Sequence, residues 1–417
     1  MRRVLCAALL LALLLTACGG ELVPDAPEVP DPPPSESPET PPETPEEPQE
    51  PEEPENSEEA ALLALLEDLT LEEKVGQLFF VRVPAENAVE DIVTYRLGGY
   101  LLFGRDTQDK TANELIQTIW SYQGASGRIP LFIGVDEEGG TVVRVSSNPH
   151  LRSRKFSSPR KLMELEEGDH VGAVERETEE KSILLKCLGF NVNLNPVADV
   201  SKNPGDFIHD RTYGDSAEAA ASYASRVVEV QCVYGLGSVL KHFPGYGNNR
   251  DTHTGVAVDE RPMEAFLEED FKPFREAIAT GEAYRPLPAV LVSHNIVNCM
   301  DPDLPASLSP EVHRILREDL GFEGVVMTDD LAMSAVSAYA ADGNVAVMSI
   351  QAGNDLVVTT DYRTQIPRVI QAVREGTLAE EAVDAACLRV LRWKLELGLL
   401  APGEDGELYN IPLPDVT

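Results

Sequence analysis

Three stretches of the chain carry residue types and spacings that do chemistry. The densest runs from Lys241 to His253, KHFPGYGNNRDTH. Lys241 and His242 precede a turn-rich exit, Phe-Pro-Gly-Tyr-Gly, and Asp251-Thr252-His253 follows on a segment rich in Gly and Asn. In extended backbone, residues two apart project to the same side, so Asp251 is placed to accept a hydrogen bond from one imidazole nitrogen of His253. That contact would fix the tautomer and leave the other nitrogen to shuttle a proton near neutral pH. A metal site is the competing reading, since His242, Asp251 and His253 are all ligand types. The charge of Lys241 and the lack of a helical His-x-x-x-His spacing argue against it, and no metal is expected.

The second stretch is Gly324-Val-Val-Met-Thr-Asp329-Asp330. Two carboxylates at the mouth of a closed apolar strand are costly unless they are hydrogen bonded or used. Asp329 is therefore assigned to chemistry, as a nucleophilic or electrostatic carboxylate, and Asp330 to capping a helix over LAMSAVSAYAA. The third is Val135-Asp136-Glu-Glu-Gly-Gly140, with Arg144 shortly after. Asp136, followed by glycines that allow a tight turn, suits hydrogen bonding to a polyol. Arg144 would add a second contact or pair with Asp136. One nucleophilic carboxylate, one histidine proton donor and a ring of Asp, Lys, His and Arg in an acidic pocket describe recognition of a neutral, hydroxyl-rich substrate, for which a sugar fits best. Retaining glycoside hydrolysis needs such a nucleophile and such an acid, which later serves as base.

These residues need elements to hold them. Eight apolar runs read as strands: Gln77–Val81, Gly99–Phe103, Leu131–Val135, Val192–Asn195, Val239–Lys241, Val290–Ser293, Gly324–Met327 and Asp355–Val358. Between them lie amphipathic stretches such as Thr111–Gln123, Ala217–Tyr234, Met263–Ala279, Ser309–Asp319 and Ala332–Gln351. Continuous hydrophobic strands alternating with helices imply a parallel sheet covered on both faces. At this count a (β/α)8 TIM barrel is the simplest closure, with an open doubly wound sheet second. The polar residues Asp136, Asn195, Lys241-His242, His294 and Asp329-Asp330 all fall where a run ends, the phase that a barrel gathers on its C-terminal face.

The N-terminus, MRRVLCAALLLALLLTACGG, has a basic start and an apolar run too short for an ordinary membrane span, and reads as an export signal over residues 1–17. Leu15-Thr16-Ala17-Cys18 resembles a bacterial lipobox, so Cys18 is the expected lipidation site and the outer face of the cytoplasmic membrane the expected location. A lipid chain would bury methylenes at about 0.8 kcal/mol each. Residues 18–59 are Pro, Glu, Ser and Thr with hardly an apolar side chain, and carry 15 acidic residues and no Lys or Arg. Such a segment cannot bury enough surface to order itself and reads as an extended stalk. It leaves residues 60–400 for one catalytic domain and 401–417 as a tail. The formal charge of −37 is not confined to the stalk. With no basic cluster of useful size, nucleic acid is excluded as a partner. Cys187, Cys232, Cys299 and Cys387 stand singly in apolar stretches and are expected to be buried free thiols.

Together these motifs resemble glycoside hydrolase family 3, and within it the bacterial β-N-acetylglucosaminidases. The resemblance runs in order through LTLEEKVGQLFFV, VDEEGG, NPVADV, DRTYG, KHFPGYG, DTH, DPDLPASLS, TDDLAM and AGNDL. It implies that Asp329 is the nucleophile and His253 the acid/base held by Asp251. It further implies that Asp136, Arg144, Arg211, Lys241 and His242 grip the sugar, that no cofactor is needed, and that terminal β-linked GlcNAc is removed from cell-wall fragments; apart from the resemblance, a monomer is expected. A phosphorolytic enzyme, a β-glucosidase and a silent sugar-binding lipoprotein are the alternatives. Tyr246 stands where the family pattern has a second histidine, Glu137 where glutamine is common and Thr141 where arginine is common.

Overall fold

The computed structural model describes residues 55–164, 170–249, 251, 255–339, 344–403 and 405–411. The signal, Cys18, nearly all of the stalk and His253 lie outside the described residues. Eight short strands form one parallel sheet: β1 (Phe79–Arg82), β2 (Gly99–Leu102), β3 (Phe132–Val135), β4 (Val192–Asn193), β5 (Gly237–Phe243), β6 (Ala289–Val292), β7 (Val326–Thr328) and β8 (Val357–Thr359). Consecutive strands pair in parallel from β1 to β7, and β8 pairs with β1 through Phe79↔Val357. The last seam is joined by a parallel bridge between Met327 and Leu356, with the Thr328 N–H donating to the Leu356 carbonyl at 3.1 Å. The sheet is therefore a closed (β/α)8 barrel, as the alternating pattern implied, and not an open sheet.

Its interior is packed by large side chains that glycines make possible. A Cβ on Gly134 would lie 2.3 Å from the Phe80 ring, and one on Gly99 would lie 2.8 Å from it. The two glycines on β2 and β3 are thus the space into which Phe80 of β1 projects, and the ring makes an edge contact with Phe132 at 6.2 Å. Outside the barrel, Thr70 and Thr111 each close a reciprocal capping box with Glu73 and Glu114, so two helix starts are set by local sequence.

The boundaries differ from expectation at both ends. A helix begins at Glu55 and runs to Asp68, inside the stretch assigned to the stalk, because Leu62, Leu65 and Leu66 give it an apolar stripe that packs on the helix Glu380–Glu396. At the other end, Leu400–Pro402 pairs antiparallel with Leu408–Asn410 and buries Leu400 and Leu408, so these residues belong to the domain and not to a tail. The helix expected over Ala332–Gln351 is instead a 3-10 segment, Ser334–Tyr339, and a separate helix, Val345–Ala352. The stretch from Met263 continues to Tyr284 but passes through a π segment at Phe266–Asp270.

The expectation of four buried thiols holds for two. Cys232 and Cys387 are buried, Cys299 is half-buried, and Cys187 is exposed on its helix. Burial pushes the Cys232 and Cys387 thiols up to about 12, and a thiol is nucleophilic only as thiolate. Iodoacetamide treatment of the folded protein, read by peptide mass spectrometry, is expected to alkylate Cys187 and to spare Cys232 and Cys387 until denaturant is added.

Candidate active site

The C-terminal ends of the strands surround a cavity of about 710 Å³. Asp136, Arg144, Arg211, Lys241, His242, Asp251 and Asp329 all line it, so every described residue expected at the site meets there. Asn195 and His294 are at the same structural phase but are not among the lining residues. Both are fully buried, and the His294 ring is engaged by Ser307 Oγ at 2.7 Å and the Asp330 carbonyl at 3.1 Å.

One wall is a charge cluster at the ends of β3 and β5. Lys241 Nζ lies 2.7 Å from Asp136 Oδ1 and 2.6 Å from Glu138 Oε1. Arg211 approaches Glu138 with both prongs, Nε to Oε2 at 2.9 Å and Nη2 to Oε1 at 2.8 Å. Such a bidentate, desolvated pair fixes both partners. Burial pushes the Glu138 carboxyl up, but Arg211 and Lys241 outweigh it and hold the group far below the ordinary carboxylate range. Burial likewise opposes the charge on Lys241, yet Asp136 and Glu138 raise it, so the ammonium is kept. Asp136 thus pairs with Lys241, not with Arg144 as one reading of the sequence allowed.

His242 is oriented from behind. Its Nδ1 lies 2.7 Å from Asp199 Oδ2, and its Nε2 lies 3.3 Å from Arg211 Nη2. Asp199 also accepts the backbone N–H groups of His242 at 3.2 Å and Tyr246 at 2.8 Å. One carboxylate therefore sets both the imidazole and the turn that follows the strand. Tyr246 packs against Val197 and Ile208, with its ring edge-on to His242 at 5.5 Å. It is buried behind the site and is not among the residues that line the cavity.

Asp329 emerges at the end of β7, its N–H donating to the Val292 carbonyl at 3.0 Å and its Oδ1 accepting from the Asp330 N–H at 2.8 Å. Burial raises its carboxyl, but His294, His242, the Asp330 N–H and Lys241 together bring it below its ordinary value. It is a half-buried carboxylate, ionised at neutral pH. Asp330 accepts the Ala332 N–H at 2.9 Å, a local cap on the turn in place of a full helix, and burial raises its carboxyl.

Glu138 and Asp199 were missed in the sequence. The signal for Glu138 was present, since alternation places it on the same side as Asp136, two residues earlier. Asp199 lies six residues beyond the end of its strand, and its one local signal is its place in the NPVADV motif. Glu137 is fully buried and is turned to the backbone of the following loop, not to the Lys241 cluster. Its carboxylate accepts the N–H groups of Arg144 at 2.8 Å and Val145 at 2.7 Å, and the Ser146 hydroxyl. Among the described residues no group of three or more His, Cys, Asp or Glu side chains is placed to hold a metal ion.

A closed parallel barrel with a carboxylate and paired cation–carboxylate groups at its C-terminal mouth has the architecture of a barrel enzyme. The chain belongs to glycoside hydrolase family 3: residues 70–393 match the family model described as the Glycosyl hydrolase family 3 N terminal domain. Among curated proteins it is similar to the β-hexosaminidase LpqI of Mycobacterium tuberculosis, 31% identical over 338 residues that cover 78% of this chain and 83% of the relative. Among solved structures it is similar to M. tuberculosis LpqI, with a TM-score of 0.71 and 29% identity over 81% of this chain and 96% of that one. It is also similar to a family 3 β-N-acetylglucosaminidase of Paenibacillus sp. str. FPU-7, with a TM-score of 0.73 and 29% identity over 79% of this chain. The chain spans 63% of the length of that Paenibacillus protein.

Proposed function

We propose that this protein is a retaining exo-β-N-acetylglucosaminidase that removes terminal β-linked GlcNAc from cell-wall fragments. The observation that carries the reading is Asp329, a half-buried carboxylate that lines the cavity at the mouth of the barrel and is held ionised by the groups around it. Relatives named β-hexosaminidase support the amino-sugar preference. In the first step an Asp329 oxygen attacks C1 of the sugar as the bond from C1 to the glycosidic oxygen breaks, and His253 passes its proton to that leaving oxygen. In the second, a water loses its proton to His253 and attacks C1, releasing Asp329. Asp251 steadies His253 throughout. Asp136, Arg211, Lys241 and His242 hold the sugar hydroxyls, with Glu138 fixing the two cations among them.

Export and lipidation at Cys18 would hold the enzyme at the outer face of the cytoplasmic membrane, with the acidic stalk keeping it off the anionic surface. The reading is tested with 4-nitrophenyl β-glycosides that differ only at C2. A preference for the N-acetylglucosaminide over the glucoside of at least about tenfold in kcat/KM is expected, equivalent to about 1.4 kcal/mol in the transition state. A preference for the glucoside would overturn the substrate while sparing the nucleophile.

A further inference from the structure

The segment that leaves β5 at Phe243 returns at Val258–Asp259, which pairs in parallel with Ile296–Val297 just after β6. Asp251, on this segment, lines the cavity. Its two stems meet at a polar cluster whose members do not line the cavity. Arg261 reaches Asp259 Oδ2 through Nη2 at 2.8 Å and Nε at 3.0 Å, and Asp270 Oδ2 through Nη1 at 2.8 Å. Its guanidinium carbon sits 4.3 Å from the centroid of the Phe266 ring. Asp259 Oδ2 also accepts the Asn249 amide at 2.8 Å, and the same amide donates to the Tyr246 carbonyl at 2.8 Å. One carboxylate oxygen therefore joins the outgoing stem, through Asn249, to the returning stem at Asp259.

Asn249, Asp259 and Asp270 are buried. Taking two carboxylates and a guanidinium out of water costs free energy that apolar packing of the same volume would not. What the cluster supplies instead is fixed hydrogen-bond direction. The turn is fitted to it: Gly247 has φ 55°, and a Cβ there would lie 2.6 Å from the Arg261 guanidinium carbon. On its other side the same turn is held by Asp199, which accepts the Tyr246 N–H at 2.8 Å. Asp251 follows Asn249 by two residues, so among the described residues Asn249 is its nearest anchor on the N-terminal side.

We propose that Arg261, acting through Asp259 and Asn249, is a positioning residue for the acid/base: it sets the place of Asp251 at the cavity and hence the delivery of the proton to the leaving oxygen. The inference rests on the acid/base reading given above. Proton transfer requires the donor within hydrogen-bond reach, about 2.6–3.2 Å, of the oxygen it protonates. A misplacement of about 1 Å costs about 10²-fold. The nucleophile does not share this dependence, because Asp329 stands at the end of β7 and the Lys241 cluster at the ends of β3 and β5.

The test compares two aryl β-N-acetylglucosaminides on each preparation. 2,4-Dinitrophenolate leaves without a proton, whereas the leaving oxygen of the phenyl glycoside needs one as its bond to C1 breaks. In Arg261→Met and in Asn249→Ala, kcat/KM on the phenyl glycoside is expected to fall by about 10²-fold and on the dinitrophenyl glycoside by less than about threefold. Arg261→Lys keeps the charge but not the fork and should fall between wild type and Arg261→Met. Azide gives a second readout. It attacks C1 of the glycosyl-enzyme with no proton to lose, the bond from C1 to Asp329 breaks, and the β-glycosyl azide is released. Azide should therefore raise kcat of the variants on the dinitrophenyl glycoside and leave that of wild type unchanged. Each comparison is made within one preparation, so a loss of folded enzyme cancels. Equal falls on the two glycosides, or variants that azide does not speed, would leave Arg261 a structural role only and overturn the inference. Asp251→Ala separates this from the parent reading. If it too loses both glycosides equally, the acid/base assignment fails and this inference with it; a selective loss there beside an equal loss in Arg261→Met overturns the positioning role alone.

Discussion

Replacing Asp329 with alanine is expected to lower kcat on 4-nitrophenyl β-N-acetylglucosaminide by at least about 10⁴-fold, the scale seen when a covalent nucleophile is removed. The residue has no substitute in the cavity. Asp330, its neighbour, is turned to the Ala332 N–H, and burial raises its carboxyl instead of lowering it. Asp136 and Glu138 are both paired with Lys241. The loss should therefore fall on kcat, with KM changed much less, because the hydroxyl contacts persist. Asp329→Asn keeps the shape and the hydrogen bond from the Asp330 N–H, and separates the loss of charge from the loss of packing. A ¹H NMR time course of the wild-type reaction adds a stereochemical check, with the β-anomer expected as the first product. Residual activity of Asp329→Ala above about 1% would remove this residue from the nucleophile's role.

The barrel was legible because parallel strands are buried on both faces and read as uninterrupted apolar runs. All eight expected runs overlap the observed strands. The polar residues at their ends were legible for the same reason, since a strand end is where burial stops. What was not legible depends on contacts distant in sequence. Asp199 is a loop residue until the fold brings its carboxylate against His242, 43 positions away. Arg82 reads as an ordinary strand-end cation until Phe103 and Arg144 arrive beside it. The helix from Glu55 was masked by composition, because its first turn is as acidic as the stalk before it. The stretch Ala332–Gln351 has helical spacing throughout, but the turn capped by Asp330 commits its start to tighter 3-10 geometry.

Glu138 is the second position at which a large effect is expected, and the effect is on folding as well as binding. Its side chain is wholly buried between two cations. Removing one partner from a buried ion cluster leaves the others desolvated and unmatched, which typically costs about 3–5 kcal/mol. Glu138→Ala should therefore lower the unfolding free energy by about that amount in urea titrations at pH 7. In the fraction that folds, Arg211 loses both of its carboxylate contacts, so KM should rise while the ionisation of Asp329 is retained. Glu138→Gln keeps the shape but removes the charge and replaces one of the two acceptor oxygens by an N–H donor, so the bidentate pairing with Arg211 is lost while one oxygen can still accept. The pH dependence has a definite sign. The folded carboxyl is depressed below its ordinary 4.5, so its stabilisation is complete above that pH and is lost as pH falls towards the folded value. The gap in stability between wild type and Glu138→Gln should accordingly be constant from pH 7 to about 5.5 and narrow on further acidification. A gap that widened as pH fell from 7 towards 4.5 would mean that Glu138 takes up its proton in the folded enzyme, and the cluster would then rest on Asp136 instead.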